Sequence, residues 1–171
     1  MTHDLPLRAA SRFAALAFLG SVVLAASAQV ALPLWPVPAT MQSLVVLLLG
    51  ALGGGRLAAS AVALYLIEGA MGLPVFANGT GGPAVLAGPT AGYLVGFLPA
   101  AWLAGYAARG AWWRQGAVLV AAHLALFVPG VLWLAAYVGI ERAIWAGFVL
   151  FIPGTLLKTA LALASLKALR R

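Results

Sequence analysis

Residues 13–28, FAALAFLGSVVLAASA, run without a charged side chain, and the apolar stretch around them reaches to about 10 and 31. A helix that crosses the hydrocarbon of a bilayer needs about 20 such residues. Five further apolar runs follow at about 41–54, 57–71, 89–108, 116–138 and 153–169. Composition points the same way, with 64% hydrophobic residues, 8% charged residues and a mean hydropathy of +1.07. A soluble domain of this length would need far more charged surface. The reading is an all-α integral membrane protein, a six-transmembrane-helix bundle forming one membrane domain over residues 1–171.

Two runs are irregular. The second and third are short and joined by Gly53-Gly54-Gly55-Arg56, and Pro153-Gly154 interrupts residues 143–169. Proline suits the first turn of a helix and disrupts the interior. The sixth helix is therefore expected to start near Pro153, leaving Ile140–Ile152 as a short outer helix or a dipping segment. Irregular backbone at that depth is tolerated only under cover of protein or beside a water-filled cavity.

The basic residues set the orientation. Arg8 and Arg12 precede the first run, Arg56 lies between the second and third, Arg109 and Arg114 between the fourth and fifth, and Lys167, Arg170 and Arg171 end the chain. All fall on one side if the spans are even in number. The opposite loops, about 32–40, 72–88 and 139–144, hold only Arg142, beside Glu141. The positive-inside rule then predicts both termini in the cytoplasm of a multi-pass inner-membrane protein. This placement also accounts for the net charge of +7 without a nucleic-acid partner. A competing reading, a signal peptide cleaved after Ala26-Ser27-Ala28, is weaker, because alanine-rich helices match that small-residue pattern by chance. With no cysteine, disulfides and thiolate chemistry are excluded, and no metal or cofactor is expected.

The outward loops carry the chemistry. The first, Pro33-Leu34-Trp35-Pro36-Val37-Pro38-Ala39-Thr40-Met41-Gln42, is held extended by its prolines and reads as a stiff lid over a pocket. The second contains Gly72-Leu73-Pro74-Val75-Phe76-Ala77-Asn78-Gly79-Thr80-Gly81-Gly82-Pro83, then Gly88-Pro89-Thr90-Ala91-Gly92-Tyr93. Glycine at this density lets backbone approach a ligand closely, and no Lys-Ser/Thr follows to make a phosphate loop. Asn78 offers both donors and an acceptor; Asn78-Gly79-Thr80 also fits the glycosylation sequon, with nothing else to support it.

Lys158 is the only basic residue well inside an apolar run. An ionisable group at mid-bilayer costs at least roughly 2.5–3.5 kcal/mol, which makes it a functional candidate over a snorkelling lysine. A helix starting at Pro153 puts it about 7 Å below the outer end, with Thr155 on the same face. Glu68, the only acid within a span, is read as reaching headgroup water, over pairing with Lys158 or holding a coupling ion. His123, alone in the fifth run, is read as packing, and His3 is terminal. These groups form no dyad by spacing, which argues against an intramembrane enzyme. Ala10, Ala14, Ala17, Ser21 and Ala25 make a small-residue stripe on the first helix, suited to close packing against another helix or a separate subunit.

Val37-Pro38-Ala39-Thr40-Met41-Gln42, Gly72-Leu73-Pro74-Val75-Phe76-Ala77, Gly88-Pro89-Thr90-Ala91-Gly92-Tyr93-Leu94 and Pro153-Gly154-x-x-x-Lys158 resemble, in order, the motifs of the BioY family. These are the biotin-binding S components of bacterial energy-coupling factor (ECF) transporters. The resemblance runs from about residue 10 to the end of the chain. It implies a six-helix bundle with a biotin pocket near the outer face, covered by the first outer loop. It also implies a transmembrane coupling subunit and two cytoplasmic ATPases as partners, in keeping with the lack of an ATP-binding motif here. Asn78 and Lys158 match biotin-contacting positions of the family, and Gln42, Phe76 and Tyr93 lie in matching motifs. The family often has aspartate three residues before the lysine, where this chain has Thr155, which can accept a ureido N–H without the charge. Ala10 and Ala14 resemble the surface by which S components dock on the coupling subunit. The alternative is a solitary ion-coupled carrier using Glu68. Oligomeric state stays open, a homo-oligomer included.

Overall fold

The computed structural model describes residues 4–169. His3, Arg170 and Arg171 lie outside them. The helices are α1 (Asp4–Ala28), α2 (Gln42–Gly53), α3 (Gly55–Ala70), a single turn α4 (Pro83–Leu86), α5 (Ala91–Ala104), α6 (Trp112–Val138), α7 (Ile140–Gly147) and α8 (Ile152–Ala168). Short 3₁₀ turns cover Ala77–Gly79, Gly105–Ala108 and Val149–Phe151. The fold is not wholly α. Ala31–Leu32 (β1) pairs antiparallel with Ala39–Thr40 (β2), so the proline-rich segment between them is the tip of a small hairpin.

Among the described residues, four helical stretches are long and apolar enough to cross a membrane: Arg8–Ala28, Ala91–Ala108, Trp112–Val138 and Ile140–Ala168; Gln42–Gly53 is a shorter apolar helix. Together they make a multi-pass membrane protein. Leu132, Leu156 and Leu157 are among the large apolar side chains left on the outside, the arrangement expected where lipid is the solvent.

Bundle contacts rest on small residues, since apolar helices in lipid gain nothing from hydrophobic burial against one another. The α5–α6 pair shows this best. A Cβ on Gly92 would come within 2.4 Å of the Pro129 carbonyl oxygen, and one on Gly130 within 2.4 Å of the Tyr93 ring. The two helices are therefore in backbone contact along the first half of α5.

The interior divides into two regions. One packs small and aliphatic side chains, among them Leu47, Ala51, Ala104, Leu119 and Ala162. The other, at the hairpin end of the bundle, holds the aromatics Tyr65, Phe76, Tyr93, Phe97 and Phe127. Phe127 stands edge-on to Tyr93, Phe148 and Phe151, at 6.2, 5.1 and 6.1 Å between ring centres. That cluster carries the irregular chain between α7 and α8. Helix α8 begins at Ile152, with Pro153 in its first turn, where a missing N–H costs nothing.

The stripe on α1 divides as well. Ala17 and Ser21 are buried, whereas Ala10 and Ala14 are exposed. Ser21 Oγ donates to Glu68 Oε1 at 3.1 Å, so the acid of α3 faces α1.

Candidate functional site

At the aromatic end of the bundle lies a cavity of about 220 Å³. The hairpin contributes Val37, Pro38 and Thr40 to its wall, and the start of α2 contributes Gln42. The glycine-rich loop adds Ala77, Asn78 and Thr80, and Val85 follows from α4. Thr90, Tyr93, Leu94 and Phe97 close the side formed by α5. No lining residue carries a formal charge, so the cavity offers apolar surface with a few neutral donors and acceptors. Such a composition suits a small amphipathic molecule.

A chain of hydrogen bonds runs behind this wall. Lys158 Nζ donates to the Thr40 carbonyl at 2.5 Å and to Ser43 Oγ at 3.2 Å. Thr40 Oγ1 donates to Gln42 Oε1 at 2.9 Å. Gln42 Nε2 donates to Tyr65 Oη at 2.7 Å, and Tyr65 Oη donates to the Val75 carbonyl at 3.2 Å. Helix α8, the hairpin, α2, α3 and the second outer loop are thereby joined. Because Gln42 and Tyr65 are buried, each of these groups needs its partner. The Lys158 bond ends on the Thr40 carbonyl, and the next bond starts from the Thr40 hydroxyl. From that hydroxyl through Gln42 and Tyr65 to Val75 the donors all point one way, so each of those bonds polarises the next.

The turn that presents Asn78 is clamped by Gln29, just past the end of α1. Gln29 Nε2 donates to the Phe76 carbonyl at 3.1 Å, and Gln29 Oε1 accepts from the Gly79 amide at 2.9 Å. Asn78 takes φ 60°, ψ 29°, left-handed backbone that asparagine tolerates better than most residues. Phe76 anchors the turn from beneath. Its ring fills the notch over Gly69, where a Cβ would lie 2.0 Å from it, and stands edge-on to Tyr65 at 5.4 Å.

Of the sequence candidates, Asn78, Gln42 and Tyr93 stand on the cavity wall. Tyr93 shows its ring there, since its hydroxyl donates to the Gly147 carbonyl at 2.8 Å. Lys158 sits one layer behind, bonded to Thr40. Thr155 is half-buried and off the wall, and Phe76 lies beneath the turn instead of facing the cavity. Glu68 is engaged with Ser21. His123 is buried, with Nδ1 2.8 Å from Thr159 Oγ1 and Nε2 without a partner. Among the described residues no group of three His, Cys, Asp or Glu gathers to hold a metal.

Several contributors escaped the sequence reading. Gln29, Tyr65 and Ser43 act through bonds to residues far along the chain, which no local pattern announces. The one available signal was Tyr65, a hydroxyl in mid-span that had to find a partner. Trp133 Nε1 donates to the Gly88 carbonyl at 2.9 Å and Tyr137 Oη to that of Ala87. These bonds hold the approach to Thr90.

A family model described as the BioY family matches residues 1–171. The "Biotin transporter BioY" of Thermotoga maritima is 41% identical over 155 residues, covering 88% of this chain and 89% of that protein. "Biotin transporter BioY2" of Lactococcus lactis subsp. cremoris is 33% identical over 160 residues, with 88% of each chain covered. Among solved structures, the S component for biotin from an ECF-type ABC transporter superposes with a TM-score of 0.84, covering 99% of this chain and 94% of that one at 22% identity. That likeness is one of fold.

Proposed function

This chain belongs to the BioY family, and from that premise we infer that it is the biotin-binding membrane subunit, the S component, of an ECF-type uptake transporter. The observation that carries the reading is the neutral cavity walled by the proline hairpin, with Lys158 held directly behind it. Biotin's fused rings and valerate chain suit the Tyr93, Leu94 and Phe97 side, and its ureido group needs the neutral polar groups of Asn78, Gln42 and Thr90. Lys158 exchanges the Thr40 carbonyl for the ligand's polar end, with Thr155 beside it one helical turn away. Phe76 supports Asn78 from below.

Six crossings with both termini in the cytoplasm of a bacterial inner membrane place this cavity on the outer side, where biotin arrives. The chain has no enzymatic role. Energy comes from a transmembrane coupling subunit and two cytoplasmic ATPases, and the exposed Ala10 and Ala14 on α1 are the docking surface for that coupling subunit. Isothermal titration of the purified protein with biotin, against other vitamins as controls, tests the assignment. Submillimolar binding selective for biotin is expected. Binding no tighter than millimolar would overturn it.

A further inference from the structure

A second cavity lies at the opposite end of the bundle, between the start of α6 and the end of α8. Its volume is about 480 Å³, and Gly110, Trp112, Gln115, Leu163, Ala164 and Lys167 are among its lining residues. The mouth is basic. Lys167 is on the wall, and the Arg114 side chain lies over Gly110, with Cδ 3.3 Å and a guanidinium nitrogen 3.5 Å from where a Cβ on that glycine would be. The rim is a braced piece of backbone. Gln115 is 5% exposed, and its Nε2 donates to the Gly110 carbonyl at 3.0 Å. No side chain caps the start of α6, so its first amides and the helix dipole add to the positive field at this mouth. Behind it the walls turn apolar, with Leu163, Ala160 and Ala164 leading along α8 into the hydrocarbon. Trp112 is 73% exposed, as suits a ring at headgroup level.

Cations over an apolar slot, on the end of the bundle that carries most of its Lys and Arg, define an amphipathic anion. We propose that this groove binds the headgroup phosphate of an anionic phospholipid between Lys167 and Arg114, with an acyl chain against Leu163 and Ala164. The site is independent of biotin and shares no residue with the outer cavity. Each basic residue near a membrane surface contributes about 1 kcal/mol toward anionic lipid, or roughly a fivefold change in binding.

Native mass spectrometry of the full chain in detergent, titrated with phosphatidylglycerol, phosphatidylcholine or inorganic phosphate, tests the proposal. Phosphatidylglycerol should be retained at least tenfold better than phosphatidylcholine. Lys167→Gln should lower that preference about fivefold, and Lys167→Gln with Arg114→Gln should abolish it. Ala164→Trp, which fills the slot without changing charge, should weaken retention of phosphatidylglycerol too. Unchanged circular dichroism and an unchanged biotin titration identify folded variants. Equal retention of the two lipids, a preference that survives the double substitution, or displacement of phosphatidylglycerol by millimolar inorganic phosphate would each overturn it.

Discussion

The ammonium of Lys158 lies 2.5 Å from the backbone carbonyl of Thr40, a bond between residues 118 positions apart. It fastens the proline hairpin to α8, so the one cation inside an apolar run supports the cavity wall from behind.

Lys158→Ala should weaken biotin binding tenfold or more, about 1.4 kcal/mol, by isothermal titration. It removes both the cation and the brace on Thr40. An unchanged affinity would reduce Lys158 to a surface-seeking side chain.

Tyr65→Phe deletes only the hydroxyl between Gln42 and Val75. Leaving the buried Gln42 amide without its acceptor should cost about 1–3 kcal/mol, read as a lowered thermal midpoint in detergent. Biotin affinity should fall as well, because Gln42 lines the cavity. A wild-type midpoint would show that water replaces the hydroxyl.

At position 78 the backbone and side-chain contributions can be separated. Asn78→Gly keeps the left-handed turn at no steric cost, whereas Asn78→Ala adds a penalty of about 1 kcal/mol. Both should lose biotin affinity to a similar extent, and only the alanine variant should also lose stability. If Asn78→Gly binds like wild type, the side chain does not touch the ligand.

Thr155→Asp tests the departure from the family's usual aspartate. A carboxylate one turn from Lys158 can accept a ureido N–H in a bond roughly twice as strong as a neutral one, so severalfold tighter biotin binding is expected by titration. Weaker binding would mean that this pocket has been rebuilt around a neutral residue.

Gly92→Val should prevent the α5–α6 contact, since even its Cβ would meet the Pro129 carbonyl at 2.4 Å. Overpacking of this kind costs about 1–3 kcal/mol or more, and loss of folded protein in size-exclusion chromatography is the expected readout.

Helices were legible because runs such as 13–28 state their period-free hydrophobicity outright, and Pro153 marked the last helix start by its missing N–H. Asn78 stands out because its loop is too rich in glycine for a plain connector, whereas Gln42 and Tyr93 were marked only by the family resemblance; all three stand on the cavity wall. The position of Phe76 is not readable from the sequence, because an aromatic in such a loop can face a ligand or fill the floor beneath it. The bare Gly69 on α3 decides for the floor. Lys158 stands out in the sequence as an ion inside an apolar run, but its role as a brace does not, because its partner is a backbone carbonyl. Every residue has one, so no sequence position marks it. Gln29 was invisible for the same reason, both of its loop contacts being to main chain.

The hairpin that walls the cavity is held by two separate ties at Thr40, its carbonyl to Lys158 and its hydroxyl to Gln42, which is in turn bonded to Tyr65. Once the ligand's polar end takes Lys158 from the Thr40 carbonyl, the Thr40–Gln42 bond is the tie that keeps the hairpin down over the occupied cavity. Lifting the hairpin then adds its own barrier to ligand exit, beyond the ligand's direct contacts. A capture subunit of this kind holds its cargo by slow exit, long enough for a partner to arrive.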